Sequence, residues 1–268
     1  MTHLIIPGKI KSPFRFPGSK AQAVKFIKPE WEKFHHNEYR EPFVGGGAIF
    51  FAKPKVESNW LNDLDKDIMI TYQIMADVSK RSELIGMFEG EVATKERHTE
   101  IKYSEPRTDL ERAFKTFYLS RTSYSGIINK PAWGYHPLKS VPPERWGKRI
   151  EEAGKKLEGS KLTNYDFSKI IRANGQQSEE VFMFVDPPYF KADQKRAYTH
   201  SFTEKEHYRL VEELKKTDYA FCLTYDNCEE IKDLYDWANI KEVSWRYHTA
   251  NSNKATRKMG QELIITNF

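Results

Sequence analysis

The sequence predicts an α/β fold, a doubly wound Rossmann-like sheet with an antiparallel edge hairpin, interrupted by a helical insert. Three observations predict it. Strand-like apolar runs alternate with helical spacings at both ends of the chain. The first run feeds a Gly-Gly-Gly turn. Between about residues 78 and 158 the strand signal fades and helix signals replace it.

The elements follow in order. Residues 39–44 read as a short strand entering Gly45-Gly46-Gly47, and 48–52 open a helix. Residues 58–61 read as a second strand ending in Asn62-Asp63-Leu64-Asp65, after which Ile68, Tyr72 and Met75 mark a helical face. This β-α-β-α order starts a parallel sheet with crossover helices. Thr108-Asp109-Leu110-Glu111 is a capping box, with Leu110, Phe114 and Phe117 at helical spacing behind it. Gly126, Pro131, Gly134, Pro137, Pro142 and Pro143 make 121–143 mostly loop, and 144–157 is a charged helix. Residues 161–165, 181–185 and 219–224 read as strands, the last two apolar enough to be buried on both faces. Thr203-Glu204-Lys205-Glu206 is a second capping box, followed by a predicted apolar face of Tyr208, Val211 and Leu214. Residues 240–245 and 262–267 close the sheet as an antiparallel pair. The expected division is one domain from 1–77 and 159–268, with 78–158 inserted.

A chain of 268 residues is long enough for one domain plus an insert. No apolar run approaches the roughly 18–20 residues of a membrane helix, and Leu4-Ile5-Ile6 is too short for a signal-peptide core. A cytoplasmic protein away from membranes, monomeric in solution, is expected. Cys222 and Cys228, the only cysteines, lie outside any zinc-like spacing, so neither a metal site nor a disulfide framework is expected. The net charge of +5 is unevenly spread: residues 112–149 hold eight Lys or Arg, one acid and seven aromatics. A basic stretch interleaved with aromatics suits a polyanion carrying stackable bases. A solvated basic face over core aromatics would look the same by charge alone.

Two motifs carry chemistry. In Glu41-Pro42-Phe43-Val44-Gly45-Gly46-Gly47-Ala48, glycines at a strand-to-helix turn let backbone approach a ligand closely. Asp63, at the end of the next strand, can accept both hydroxyls of a ribose. Together they indicate an adenosine-containing cofactor without separating a nicotinamide from S-adenosylmethionine. Asp186-Pro187-Pro188-Tyr189 follows a buried strand. Its prolines fix the backbone and remove two N–H donors, leaving the Asp186 carboxylate and Pro187 carbonyl as acceptors beside an aromatic ring. An amine-bearing planar base fits that array.

On these motifs the chain resembles the Dam-like family of S-adenosylmethionine-dependent N6-adenine DNA methyltransferases. Arg15-Phe16-Pro17-Gly18-Ser19-Lys20 is similar to the family's N-terminal cofactor motif, with Phe16 where Trp is usual. Glu41 to Ala48 resembles its Gly-rich motif, Asn62 to Asp65 its acidic motif, and Asp186 to Tyr189 its catalytic motif. Tyr165-Asp166-Phe167, Phe202-Thr203, Thr224-Tyr225-Asp226-Asn227 and the segment 262–268 resemble further family segments. The resemblance implies S-adenosylmethionine as cofactor, with Lys20 at its carboxylate, Asp63 at its ribose and Asp166 at its adenine amine. Phe16, Gly45 and Gly47 would frame the site, and Phe43 or Phe167 would pack on the adenine ring. Asp186 and Pro187 would accept from the target amine while Tyr189 stacks on a flipped base. The partner would be double-stranded DNA, in a bacterial or phage-infected cell, with restriction–modification the natural setting.

The segment Leu119-Ser120-Arg121-Thr122-Ser123-Tyr124-Ser125-Gly126 resembles the family's base-reading stretch. It implies DNA contacts from Arg121, Tyr124, Ser125, Asn129, Lys130 and Lys139, with Tyr124 wedged near the flipped base. Relatives that modify GATC tend to carry Arg where Asn129 stands. Arg suits guanine and Asn suits adenine, so a different short site is expected. An N4-cytosine methyltransferase shares the geometry, and a DNA-binding relative without catalysis is the alternative of another class.

Overall fold

The computed structural model describes residues 10–175, 180–191, 202–246 and 259–268; Leu4-Ile5-Ile6 lies outside them. Seven strands form one sheet: β1 (Glu38–Glu41), β2 (Ser58–Asn62), β3 (Lys161–Thr163), β4 (Val181–Val185), β5 (Ala220–Asp226), β6 (Asn239–Arg246) and β7 (Met259–Thr266). Their order is β3-β2-β1-β4-β5-β7-β6. The first five run parallel. β7 lies antiparallel to β5 and β6 antiparallel to β7. The chain runs outward from β1 through β2 to β3, then returns to β4 on the other side. The switch point therefore lies between β1 and β4, where open α/β sheets bind ligands at the strands' carboxyl ends.

The helices are α1 (Val24–Lys33), α2 (Ala48–Ala52), α3 (Lys66–Ala76), α4 (Val78–Met87), α5 (Lys95–Tyr103), α6 (Asp109–Thr122), α7 (Trp146–Leu157), α8 (Phe167–Arg172), α9 (Glu204–Lys216) and α10 (Glu229–Leu234). The sequence reading has no element at α1, because Pro29 lies inside it and proline ordinarily ends a helix. Both capping boxes form, at Thr108 and Thr203. The predicted face of α9 holds at Val211 and Leu214, which are buried, but not at Tyr208, which is 50 % exposed; His207 and Leu210 complete the buried face.

The first strand is shorter than predicted, since Pro42 to Val44 already belong to the turn. All four residues of β1 are buried although three are charged. Arg40 Nε donates to Glu38 at 2.6 Å and its Nη1 to the carbonyls of Ile170 and Ala173, while the Tyr39 hydroxyl donates to Glu41. A buried charge needs such partners.

Between β2 and β3 the chain adds helices α4 to α7 and no strand among the described residues. These helices share a core with the sheet: Phe88, Phe114, Phe117, Tyr118 and Trp146 join the cluster containing Ile68, Tyr72 and Met75 of α3. Ring centroids of 4.5–5.9 Å tie Phe88, Phe114, Phe117 and Trp146 together, mostly edge to face. No helix among the described residues is long and apolar enough to cross a membrane.

Candidate active site

A cavity of about 1,120 Å³, including its open mouth, lies at the switch point. The turn after β1 forms its floor. Gly45 and Gly47 adopt φ of +45° and +65°, which only glycine adopts without strain. Phe16 lies directly on this turn: a Cβ at Gly46 would sit 2.7 Å from Phe16 Cβ. Glycine is needed here so that an aromatic ring and the backbone can share one wall.

Asp63 holds the turn. Its Oδ2 accepts from the Gly45 N–H at 2.7 Å and its Oδ1 from the Asp65 N–H at 2.9 Å. Burial pushes the Asp63 carboxyl up to about 6 against those hydrogen bonds. Each oxygen keeps a lone pair, so the expected ribose contact remains chemically possible.

An aromatic end is built by Phe43, Phe167 and Phe202, with centroids 5.3–5.7 Å apart. Asp166 lines the cavity beside them but is not an idle acceptor. Arg209 donates to both of its oxygens, at 3.1 and 2.7 Å, and the Ser168 N–H and hydroxyl donate to Oδ1. Burial alone would raise this carboxyl; Arg209 and Ser168 hold it below its ordinary value. Only Oδ2 has capacity left for an adenine amine.

At the other end, Asp186 leaves the tip of β4. Lys20 Nζ lies 3.0 Å from its Oδ1, and the Thr224 hydroxyl donates to the same oxygen at 2.7 Å. Both contacts fall on Oδ1, so Oδ2 is the oxygen left to accept from a substrate. Lys20, expected at a cofactor carboxylate, is buried and also donates to the Gly18 carbonyl at 3.0 Å. Asp186 and Pro188 line the cavity, whereas Pro187 is buried and Tyr189 stands outside the lining. The Tyr189 ring has Lys20 Nζ 4.7 Å above it and Tyr225 5.8 Å away, and its hydroxyl donates to Glu262. Its expected stacking face is thus already covered by a cation.

Glu262 and Glu41 have no role visible in the sequence. Glu262 is fully buried on β7 and, pushed by burial against the attraction of Lys20, titrates at about 7. Glu41 lines the cavity, and burial raises it to about 8. Their signal is tertiary, since β7 inserts beside β5 and carries Glu262 to Tyr189. Among the described residues no cluster of His, Cys, Asp and Glu suits a metal ion.

The expected DNA-contact residues divide. Asn129, Lys130 and Lys139 are exposed, and Tyr124 and Ser125 are partly exposed. Ser125 takes φ +53° in a tight turn. The Tyr124 N–H donates to the Ala132 carbonyl at 2.7 Å, closing the loop on itself. Arg121 is the correction: it is 4 % exposed, on the last turn of α6, and its Nη1 reaches the Pro13 carbonyl at 3.4 Å. The basic stretch is not one open stripe. Arg112 pairs with Asp67, Lys115 donates to the Ser104 carbonyl, and Arg121 is inside.

The family profile of D12 class N6 adenine-specific DNA methyltransferase matches residues 16–249. A type II methyltransferase of Lactococcus lactis subsp. cremoris is 25 % identical over 96 % of this chain and 95 % of its own length. A type II methyltransferase of Methanocaldococcus jannaschii is 24 % identical over 97 % and 100 %. The DNA N-6-adenine-methyltransferase of Escherichia phage P1 is 26 % identical over 73 % of this chain and 27 % of its own.

Proposed function

The chain belongs to the D12 class of N6 adenine-specific DNA methyltransferases, and from that premise we propose that it transfers the methyl group of S-adenosylmethionine to N6 of a flipped adenine in a short duplex site. The family sets aside the N4-cytosine alternative. The observation that carries the proposal is Asp186, held through Oδ1 by Lys20 and Thr224 at the cavity end.

The cavity suits the cofactor. It offers a glycine floor, an aromatic end, and the acids Asp63, Asp65, Asp166, Asp186 and Glu206 against one lysine, Lys20, with Glu41 held neutral by burial. An excess of acids complements a cation. The bound cofactor supplies a methyl group on a cationic sulfonium, already activated for displacement. Phe43 and Phe167 would hold an adenine ring, Asp63 the ribose, and the Gly45 to Gly47 backbone the space between.

The chain's residues then have to present a poor nucleophile, because the adenine amine's lone pair is delocalised into its ring. Asp186 Oδ2 and the Pro187 carbonyl would accept its two N–H bonds and favour a pyramidal nitrogen. Lys20 and Thr224 keep Asp186 from rotating, so positioning supplies much of the rate. As positive charge develops on the amine, the carboxylate stabilises it and is the acceptor nearest its proton. Flipping the base costs roughly a few kcal/mol. Contact with Tyr189, with Lys20 still held on Asp186, would offset part of this. Residues 1–77 and 159–268 would form the catalytic domain and 78–158 the target-recognition insert.

Nucleoside mass spectrometry of DNA treated with the protein should show N6-methyladenine. Asp186→Ala should lower transfer on the order of 10³-fold while cofactor binding persists. Near wild-type transfer by that variant would refute the mechanism.

A further inference from the structure

Two ion pairs fasten α8 to α9, and they are built alike. Arg209 of α9 reaches Asp166, the residue that caps α8, from Nη1 to Oδ1 at 3.1 Å and from Nη2 to Oδ2 at 2.7 Å. Arg172, at the other end of α8, donates from Nε to one Glu213 oxygen of α9 at 2.5 Å and from Nη2 to the other. Each is a two-pronged contact between a guanidinium and a carboxylate. The polarity is reversed: α9 supplies the cation in the first pair and the anion in the second.

Their surroundings differ. Asp166 lines the cavity, as does Glu206, which stands 3.7 Å from Arg209 one turn back on α9. Neither Arg172 nor Glu213 lines it. Arg209 also lies over the Phe167 ring, its Cζ 4.4 Å from the centroid, and that ring belongs to the aromatic end of the cavity. Arg209 itself is outside the lining. It stands behind the wall and touches both the acceptor and the ring set in it.

The hydrogen bonds decide which carboxylate oxygen is offered. Oδ1 accepts from Arg209, from the Ser168 N–H at 3.0 Å and from the Ser168 hydroxyl at 2.6 Å, and is filled. Among the described residues Oδ2 accepts only from Arg209, which leaves it a lone pair. Ser168 holds one oxygen, about which the carboxylate could still turn. The fork of Arg209 grips both oxygens and fixes their plane.

We infer that Arg209 is a positioning residue that makes the site specific for the 6-amino group of the cofactor's purine, because it fixes the plane of Asp166 and aims Oδ2 at that amine; this rests on the cofactor reading proposed above. An amine donates to the remaining lone pair. A purine with a carbonyl at that position would set an oxygen against the carboxylate, and two acceptors repel. That penalty vanishes if Asp166 can turn away, so the discrimination depends on the residue behind it.

Calorimetry on the full chain would compare S-adenosylhomocysteine with S-inosylhomocysteine, which carries the carbonyl. Wild type should prefer the adenosyl compound. Arg209→Met keeps an apolar stem near Phe167 and removes the fork. It should weaken the adenosyl compound about tenfold, as for loss of one charge-assisted hydrogen bond, and leave inosyl affinity nearly unchanged. Arg209→Lys restores the charge without the fork and should recover only part of the preference. In an Asp166→Ala background, Arg209→Met should not change the preference further. Arg172→Met is the matched control: it too loses a bond between α8 and α9, yet should leave the preference intact. Equal weakening of both compounds by Arg209→Met, or an equal narrowing of the preference by Arg172→Met, would reduce Arg209 to a fastening of α9 and overturn the inference. A wild type that binds both compounds equally would overturn it by showing that the amine is not read. Failure of wild type to bind the adenosyl compound at all would instead overturn the cofactor reading.

Discussion

The carboxylate-lined cavity and the cluster of Arg15, Arg121 and Arg149 behind it both bury charge against residues 12–20, with opposite sign. They differ in how that charge is satisfied. Asp63 accepts two backbone N–H groups, Asp65 accepts from Asp67 and Ile68, Asp166 is gripped by Arg209, and Asp186 faces Lys20. The cavity is internally compensated and preorganised, with spare lone pairs aimed at a ligand. In the arginine cluster Arg121 and Arg149 donate to the carbonyls of Pro13 and Ser12, and three N–H donors of the cluster lack partners among the described residues. A compensated site is ready to orient a neutral or cationic group. An uncompensated one keeps charge buried at a cost to the fold.

If the two regions are separate in function, cavity variants should change cofactor affinity and leave the salt slope of DNA binding alone. The largest such effect is expected from Asp63→Ala. It removes the ribose acceptor and frees the Gly45 N–H, so calorimetry should show cofactor affinity falling roughly 10- to 100-fold, as for loss of a charge-assisted hydrogen bond. A change in DNA salt slope instead would break the separation. Gly46→Ala comes next. Its Cβ would displace Phe16 from a 2.7 Å approach, and overpacking of about 1–3 kcal/mol should weaken the cofactor about tenfold without unfolding the chain. Full cofactor affinity in that variant would mean that the floor yields easily.

The smallest effect concerns pH and tests whether the buried carboxylates are as strained as their burial implies. Burial raises Glu262 to about 7 despite Lys20. A carboxyl raised in the fold favours the protonated state, so its contribution to stability is present below the ordinary carboxylate range and is lost as pH rises toward 7. Glu262→Gln removes that loss. Its melting temperature should gain on wild type by a few degrees between pH 5 and 8, as expected for roughly 1 kcal/mol. A difference that stays constant across that range would show that Glu262 is not a strained acid.

Much of the fold was legible because periodicity reports burial directly. The all-apolar residues 181–185 could only be a covered strand, and Thr108 and Thr203 announced their helices through capping chemistry. β1 was harder, since Glu-Tyr-Arg-Glu looks exposed until the carbonyls of Ile170 and Ala173 come to meet Arg40. Tyr208 fitted the helical spacing yet faces solvent, one step off the face that His207 and Leu210 cover. For the site, motif residues at strand ends were legible because a parallel sheet gathers those ends in one place.

The sequence by itself determined the sheet, the glycine turn, Asp63 and Asp186, and through them the chemistry, because each depends on neighbours in the chain or on a strand's carboxyl end. Only the tertiary structure decided which charges meet. It joined Lys20 to Asp186 across 166 positions, set Glu262 against Tyr189, and turned Arg121 from a predicted surface contact into the floor of an arginine cluster. Charge compensation acts through space at a few ångströms, whereas periodicity and capping act along the chain. A pattern of residues therefore reports where an element lies, and packing alone reports which of its charges remain unpaired.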